Sequence, residues 1–355
     1  MTPELGVIEG YYGPPWSWAD RRGVTALLAD HGYGCYHYAP KVDPHVREQW
    51  ATPWPVDQRE AMEAFAAHCR RCGVRFGIGL SPAGLQSATD SAGIEALLHR
   101  VAEIDAIGAD DLVLLFDDLA GDDPAHLAAR QIDLVHRAAT TTRAGRVFLC
   151  PTWYSDDPLL DELFGTRPAD YLEQLGRGLD PAIHVYWAGP EICPRAITPG
   201  DLHAVAERLE RRPWLWDNYP VNDSANMREH LHLRGVTGRN ATLATAVAGH
   251  AINPALQPWL TCLPALTLPR VYQDADSYRY TRAQTEAARS VLGPELGDCV
   301  YADLPLLTDR GRDRLSDAER ARLEDRYAAF SHPAAREIRD WLAGGPGDAC
   351  APTGA

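Results

Sequence analysis

The apolar run Leu112-Val-Leu-Leu-Phe-Asp-Asp118 ends in two adjacent carboxylates. Two carboxyl groups that close repel each other when ionised, so their titrations separate. One can then hold a proton at neutral pH while the other stays anionic, which is the division that acid–base chemistry needs. Neighbours on a strand point to opposite faces, so at least one of the two must leave the alternation if both are to face one pocket. Two other uses fit the same residues. An Asp pair can open a loop and cap the helix after it, or it can supply oxygens to a hard cation, with Asp122 and Asp123 close by. The latter two stand just before Pro124 and read as caps of the next helix.

Six further runs end in polar and aromatic residues. They are Glu9-Gly-Tyr-Tyr-Gly-Pro-Pro-Trp-Ser-Trp18, Tyr38-Ala-Pro-Lys41, Pro151-Thr-Trp-Tyr154, Tyr186-Trp-Ala-Gly-Pro190, Trp214-Leu-Trp-Asp-Asn-Tyr-Pro-Val-Asn-Asp223 and His250-Ala-Ile-Asn253. Aromatic faces stack on the C–H face of a pyranose, and amides and carboxylates bind its hydroxyls. A site built this way rejects ligands that leave its polar groups unpaired. Asn, Asp, Pro and Gly are also ordinary turn formers, so no single strand end decides the matter.

The elements that would position these residues alternate. β-like runs fall at residues 5–12, 34–40, 75–81, 112–118, 146–154, 183–188, 213–218 and 243–251. Helical patterns lie between them, as at 57–72, 91–108, 125–140 and 198–211. Alternation of this kind predicts a parallel sheet. Eight repeats without a Gly-x-Gly-x-x-Gly opening predict an α/β fold of the (β/α)8 TIM-barrel type, whose chemistry sits at the C-terminal ends of the strands. Residues 258–269 are rich in Pro and Leu, and helical stretches come after them at 282–292, 316–330 and 334–342. Ser316-Asp-Ala-Glu319 is a capping-box signature. The expected organisation is a barrel over 1–270, a small helical appendage over 271–343 and a disordered Gly/Pro/Ala-rich tail over 344–355.

The chain has 355 residues, 45% hydrophobic and 23% charged, with a formal charge of −15. Phosphate binding needs clustered Lys and Arg, so nucleic acid is not an expected partner. No apolar run approaches the ~20 residues that span a bilayer, and the start lacks a basic region followed by an apolar one, so no membrane partner is expected and the expected compartment is cytoplasmic. The eight cysteines are expected as reduced thiols, with Cys35, Cys150, Cys193 and Cys262 packed in the core. Cys69 and Cys72 form a C-x-x-C without a second ligand pair and read as ordinary helix residues. Neither a metal site nor a cofactor is expected.

These motifs together resemble glycoside hydrolase family 84, the β-N-acetylglucosaminidases that include protein O-GlcNAc hydrolases. The resemblance rests on Gly6-Val-Ile-Glu-Gly-Tyr-Tyr-Gly-Pro-Pro-Trp-Ser-Trp-Ala-Asp-Arg21, Tyr38-Ala-Pro-Lys41 with Arg47 and Trp50, Leu114-Leu-Phe-Asp-Asp118, Cys150-Pro-Thr-Trp-Tyr154, Trp216-Asp-Asn-Tyr-Pro-Val-Asn-Asp223 and Asn253-Pro254. It runs in order from about residue 5 to about 260. It implies a retaining exo-acting enzyme on GlcNAc-containing glycosides or glycoconjugates. The mechanism implied is substrate-assisted: the 2-acetamido oxygen attacks C1 and forms an oxazoline, unlike the usual pair of opposed carboxylates.

By resemblance, Asp117 orients the acetamido N–H, while Asp118 protonates the leaving oxygen and then activates water. The Gly10 backbone and Lys41 bind sugar hydroxyls. Tyr154 meets the acetamido oxygen, Trp216 walls the acetamido methyl and Asn218 binds that region's polar edge. Asp223 takes O4 and O6, and Asn253 takes a neighbouring hydroxyl. The sequence departs from the family at Val42-Asp-Pro-His-Val46 and at Trp153, where a carboxylate is more familiar. Both are expected beside the pocket, on the leaving-group side. The competing expectation is a non-catalytic amino-sugar-binding barrel, or a related enzyme on an unusual amino-sugar glycoside.

Overall fold

In the computed structural model, which describes residues 2–87 and 90–345, eight parallel strands close into a barrel. They are β1 (Glu4–Glu9), β2 (Tyr33–Tyr38), β3 (Arg75–Leu80), β4 (Asp111–Leu115), β5 (Arg146–Cys150), β6 (His184–Trp187), β7 (Trp214–Asp217) and β8 (Gly249–Ile252). Each pairs with the next, and β8 returns to β1 with Val7 beside Ile252. The helices around them are α1 (Trp18–Ala29), α2 (Val56–Arg71), α3 (Ser91–Ile107), α4 (Pro124–Thr141), α5 (Pro158–Phe164), α6 (Tyr171–Gly178), α7 (Pro199–Leu209) and α8 (Pro258–Asp274). Appended to these are α9 (Tyr280–Leu292), α10 (Pro294–Leu304), α11 (Asp317–Ala328) and α12 (Pro333–Leu342). The tail expected from 344 lies, from residue 346 on, outside the described residues.

The period-2 alternation of the strands sorts the apolar residues into two cores. Ile8, Cys35, Val113, Phe148, Trp214 and Trp216 fill the barrel interior, and the larger cluster packs between strands and helices. The lower end of the barrel is held by charge. The buried Asp111 carboxylate accepts from Arg75, Arg146 and His37. Burial acts to raise its pKa, but these three donors hold it far below the usual carboxylate range.

Two expectations need correction, and one stretch left unassigned in the sequence is helical. The run at 243–251 is not one strand: Ala241–Thr245 is a 3₁₀ turn and the strand is only Gly249–Ile252. The Pro/Leu-rich stretch is helix α8, with Pro264 and Pro269 inside it. Interior proline disfavours a helix locally, but thirteen of its seventeen residues are buried, so packing decides. Asp123 occupies the N-cap position of α4 without capping it; its carboxylate instead takes His126 and Arg130. The capping box at Ser316 and Glu319 is present, as is one at Thr198 and Asp201.

The appendage is tied to the barrel helices. Glu337 of α12 accepts from the backbone N–H groups of Trp259 and Leu260, both at 2.9 Å, and so caps α8 from another element. Helix α8 runs four residues past the boundary expected at 270. Among the described residues, no helix is long and apolar enough to cross a membrane.

Candidate active site

The site begins where β4 stops. Phe116 is still buried, and its N–H still bonds to the Cys150 carbonyl at 2.9 Å. Two residues later the backbone breaks the strand: Asp118 has φ of +57°, in the left-handed region. That conformation is costly for a residue with a Cβ, though Asp tolerates it better than most. It also breaks the alternation that would otherwise send the two carboxylates to opposite faces. The turn is pinned from several elements: Gln86 donates to the carbonyls of Leu119 and Ala120, and Thr152 donates to those of Phe116 and Leu119. Gln131 of α4 in turn donates to the Thr152 hydroxyl.

The two aspartates have different surroundings. Asp117 is 4% exposed, and Lys41 Nζ donates to its Oδ2. Its Oδ1 is buried with no hydrogen-bond partner. Burial pushes this carboxyl up, with the Lys41 ammonium opposing it and the charge of Asp118 adding to it. Asp118 accepts from Tyr12 Oη at 2.9 Å and from Tyr154 Oη at 3.2 Å. Burial and both carboxylates push these phenols well above their usual range, so they remain donors.

Strands β7 and β8 build the opposite wall. Trp216 points inward two residues after Trp214, and Lys41 Nζ lies 6.0 Å from its ring centroid. Its Nε1 donates to Asn218 Oδ1 at 2.9 Å, and Asn253 Nδ2 donates to the same oxygen at 2.9 Å. Asn218 Nδ2 reaches the Ile192 carbonyl, and Gly10 N–H reaches Asn253 Oδ1. This network joins the ends of β1, β6, β7 and β8. In the loop after β7, Asp223 accepts the Tyr12 N–H at 2.7 Å, and burial pushes its carboxyl up to about 6.

One cleft collects every residue singled out from the sequence: Gly10, Lys41, Asp117, Asp118, Tyr154, Trp216, Asn218, Asp223 and Asn253 all line it. It encloses about 530 Å³ of space that merges with solvent. Tyr12 lines it too, and Arg47 stands behind Tyr12; both belong to the sequence motifs, but residue type alone pointed to no role for either. Cys150 and Cys193 also line the cleft, so Cys193 is only half-buried and not the core residue expected. A second cleft adjoins through Cys193, Asn218 and Met227, and there Tyr280 and Asp309 bring the appendage to the rim.

The two departures fall elsewhere. Trp153 is 1% exposed and packs edge-on against Tyr171, with ring centroids 4.9 Å apart, away from the cleft. In the 42–46 segment, Asp43 accepts from Tyr38, Trp54 and Gln58 and serves as a structural anchor. Among the described residues no group of three or more His, Cys, Asp or Glu is placed to hold a metal ion.

The family model described as beta-N-acetylglucosaminidase matches residues 5–302. Protein O-GlcNAcase from Rattus norvegicus is 27% identical over 257 residues, covering 70% of this chain and 28% of that protein. Protein O-GlcNAcase from Mus musculus gives the same figures. The chain thus spans little more than a quarter of the length of these curated relatives. Among solved structures, an O-GlcNAc hydrolase variant from Thermobaculum terrenum is similar with a TM-score of 0.78 and 26% identity, over 96% of this chain and 81% of that one.

Proposed function

This chain belongs to the beta-N-acetylglucosaminidase family, and from that premise we propose that it is a retaining exo-β-N-acetylglucosaminidase working by substrate assistance. The carrying observation is the state of Asp117. Lys41 occupies one carboxyl oxygen, and the other is buried in the cleft wall without a partner. A buried acceptor left unpaired is costly, and an acetamido N–H placed there would satisfy it. That contact aims the acetamido oxygen at C1. Asp118, held by two phenols, then gives its proton to the leaving oxygen and later takes one from the attacking water.

The remaining groups divide by chemistry. Trp216 offers an apolar face to the acetamido methyl. Tyr154 carries one phenol proton, which it turns either to Asp118 or to the oxazoline oxygen. Gly10 N–H is committed to Asn253, so its carbonyl is the group to meet a hydroxyl. Asn218 Oδ1 already accepts twice, so its part is to lock Trp216 and Asn253 in place and to offer its remaining N–H. Lys41, Asp223 and Asn253 serve the ring hydroxyls. GlcNAc-terminated glycosides or glycoconjugates are the substrate class.

The test is hydrolysis of an aryl β-N-acetylglucosaminide, with the aryl β-glucoside as control. Turnover of the acetamido sugar alone supports the reading. No turnover from folded protein that still binds GlcNAc would replace it with a sugar-binding role.

A further inference from the structure

We infer that Arg47 is a positioning residue for Asp118: it holds the aspartate's left-handed backbone and sorts its carboxyl oxygens, keeping Oδ2 an acceptor and leaving Oδ1 to carry the transferable proton. The assignment rests on the proposed glycosidase reading.

Arg47 lies in the connection between β2 and α2 with its side chain 17% exposed. Its fork makes two bonds, one to Asp118, 71 positions away, and one to Tyr12, which itself donates to Asp118. Nη2 donates to the Asp118 backbone carbonyl at 2.7 Å, and Nη1 donates to Tyr12 Oη at 2.8 Å. The first bond ties down the carbonyl of a residue in an unfavourable conformation. The second dictates the phenol's orientation. A guanidinium has donors and no acceptor, so Tyr12 Oη must accept from it. The single phenol proton is then left for Asp118 Oδ2, 2.9 Å away. Tyr12 cannot drift, because Asp223 holds its backbone N–H.

Oδ2 is therefore met by a proton that has nowhere else to go. A proton taken up by Asp118 must sit on Oδ1, where the only described partner is Tyr154 Oη at 3.2 Å, a hydroxyl free to turn and accept. In the forward step the Oδ1–H bond breaks and a proton joins the glycosidic oxygen as its bond to C1 breaks. The acetamido oxygen supplies the electron pair to C1. In the return step the water oxygen bonds to C1 as the C1–oxazoline oxygen bond breaks and its electron pair returns to the acetamido group. The water's proton goes back to Oδ1, so the carboxyl is restored. Lysine could not replace this arrangement, since one ammonium cannot hold two acceptors at the angles of a planar fork.

The experiment compares wild type, Arg47→Met, Arg47→Lys and Tyr12→Phe on a methyl β-N-acetylglucosaminide, which needs protonation to leave, and on a dinitrophenyl one, which does not. Arg47→Met should lower kcat/KM on the methyl glycoside on the order of a hundredfold, with little change on the dinitrophenyl substrate and no recovery in Arg47→Lys. In an Asp118→Asn background the same substitution should cost almost nothing more, because the two residues act as one unit. Equal losses on both substrates, or additive losses in the double variant, would overturn the inference. A crystal structure of Arg47→Met reads the positioning without turnover. The inference expects the Asp118 carboxylate to leave its place between the two phenols, and an unmoved Asp118 would reject it. An inactive wild type would instead defeat the glycosidase reading, and the crystal structure would still decide the positioning.

Discussion

A Cβ placed on Gly10 would lie 2.2 Å from Cζ2 of Trp216. The indole cannot retreat easily, because its Nε1 is bonded to Asn218 and its ring stands edge-on to Tyr186 at 5.4 Å. Gly10→Ala should therefore push Trp216 into the cleft or out of its network. Overpacking of this kind costs about 1–3 kcal/mol, read by urea unfolding. Binding of GlcNAc should weaken at the same time. Unchanged stability and affinity would mean that the wall is softer than these contacts imply.

The two aspartates should respond differently to substitution. Asp118→Asn should reduce kcat by about 10²–10⁴-fold on poor leaving groups and far less on activated aryl glycosides. Asp117→Asn should slow both classes alike, since acetamido attack accompanies departure of the leaving group in each. A thiazoline mimic of the oxazoline should bind much more tightly than GlcNAc. Equal sensitivity of Asp118→Asn to both leaving groups would remove its assignment as the acid.

Asp223 supplies a pH dependence with a defined sign. Burial raises its carboxyl to about 6, so it is ionised above that pH and protonated below. The role proposed for it at sugar hydroxyls needs the carboxylate as acceptor. The free-enzyme profile, kcat/KM against pH, should fall as pH drops through about 6, and Asp223→Asn should lose that limb along with much of the affinity. A limb that persists in Asp223→Asn belongs to another group.

Asp217 shows the opposite shift in a structural setting. Burial acts to raise it, but Arg239 and His250 prevail and lower it to about 2. A carboxylate with a depressed folded pKa contributes stability that is present above its unfolded pKa, near 4, and is lost as pH falls through about 2. Arg239→Ala leaves this buried charge with His250 as its remaining partner and should cost up to about 3–5 kcal/mol at neutral pH. The loss should shrink on acidification, which urea titrations at several pH values would detect. A pH-independent loss would point to packing alone.

Much of the barrel was readable because its signals are local. Period-2 runs ending in polar residues mark strands of a parallel barrel, and Trp214 and Trp216 share a face by parity alone. The identities of the cleft residues came from motifs at strand ends, since a barrel brings those ends together whatever lies between them. Helix α8 was not readable, because proline speaks against a helix locally while the burial that stabilises it comes from elements far away in the chain. Glu9 stands at a strand end like the cleft residues, yet it is buried against Arg21, Tyr36 and Tyr11.

The sequence by itself determined the fold class and the set of chemical groups available at the barrel mouth, because both depend on periodicity and residue type. Only the tertiary structure decided how those groups are used. The left-handed turn at Asp118 is sustained by Gln86, Thr152 and Arg47, and the grip on Tyr12 by Asp223 spans 211 positions. Trp153 faces the core and not the cleft because Tyr171 packs against it. Each of these choices is settled by contacts between segments distant in the chain, and local propensity has no information about which distant partner will arrive.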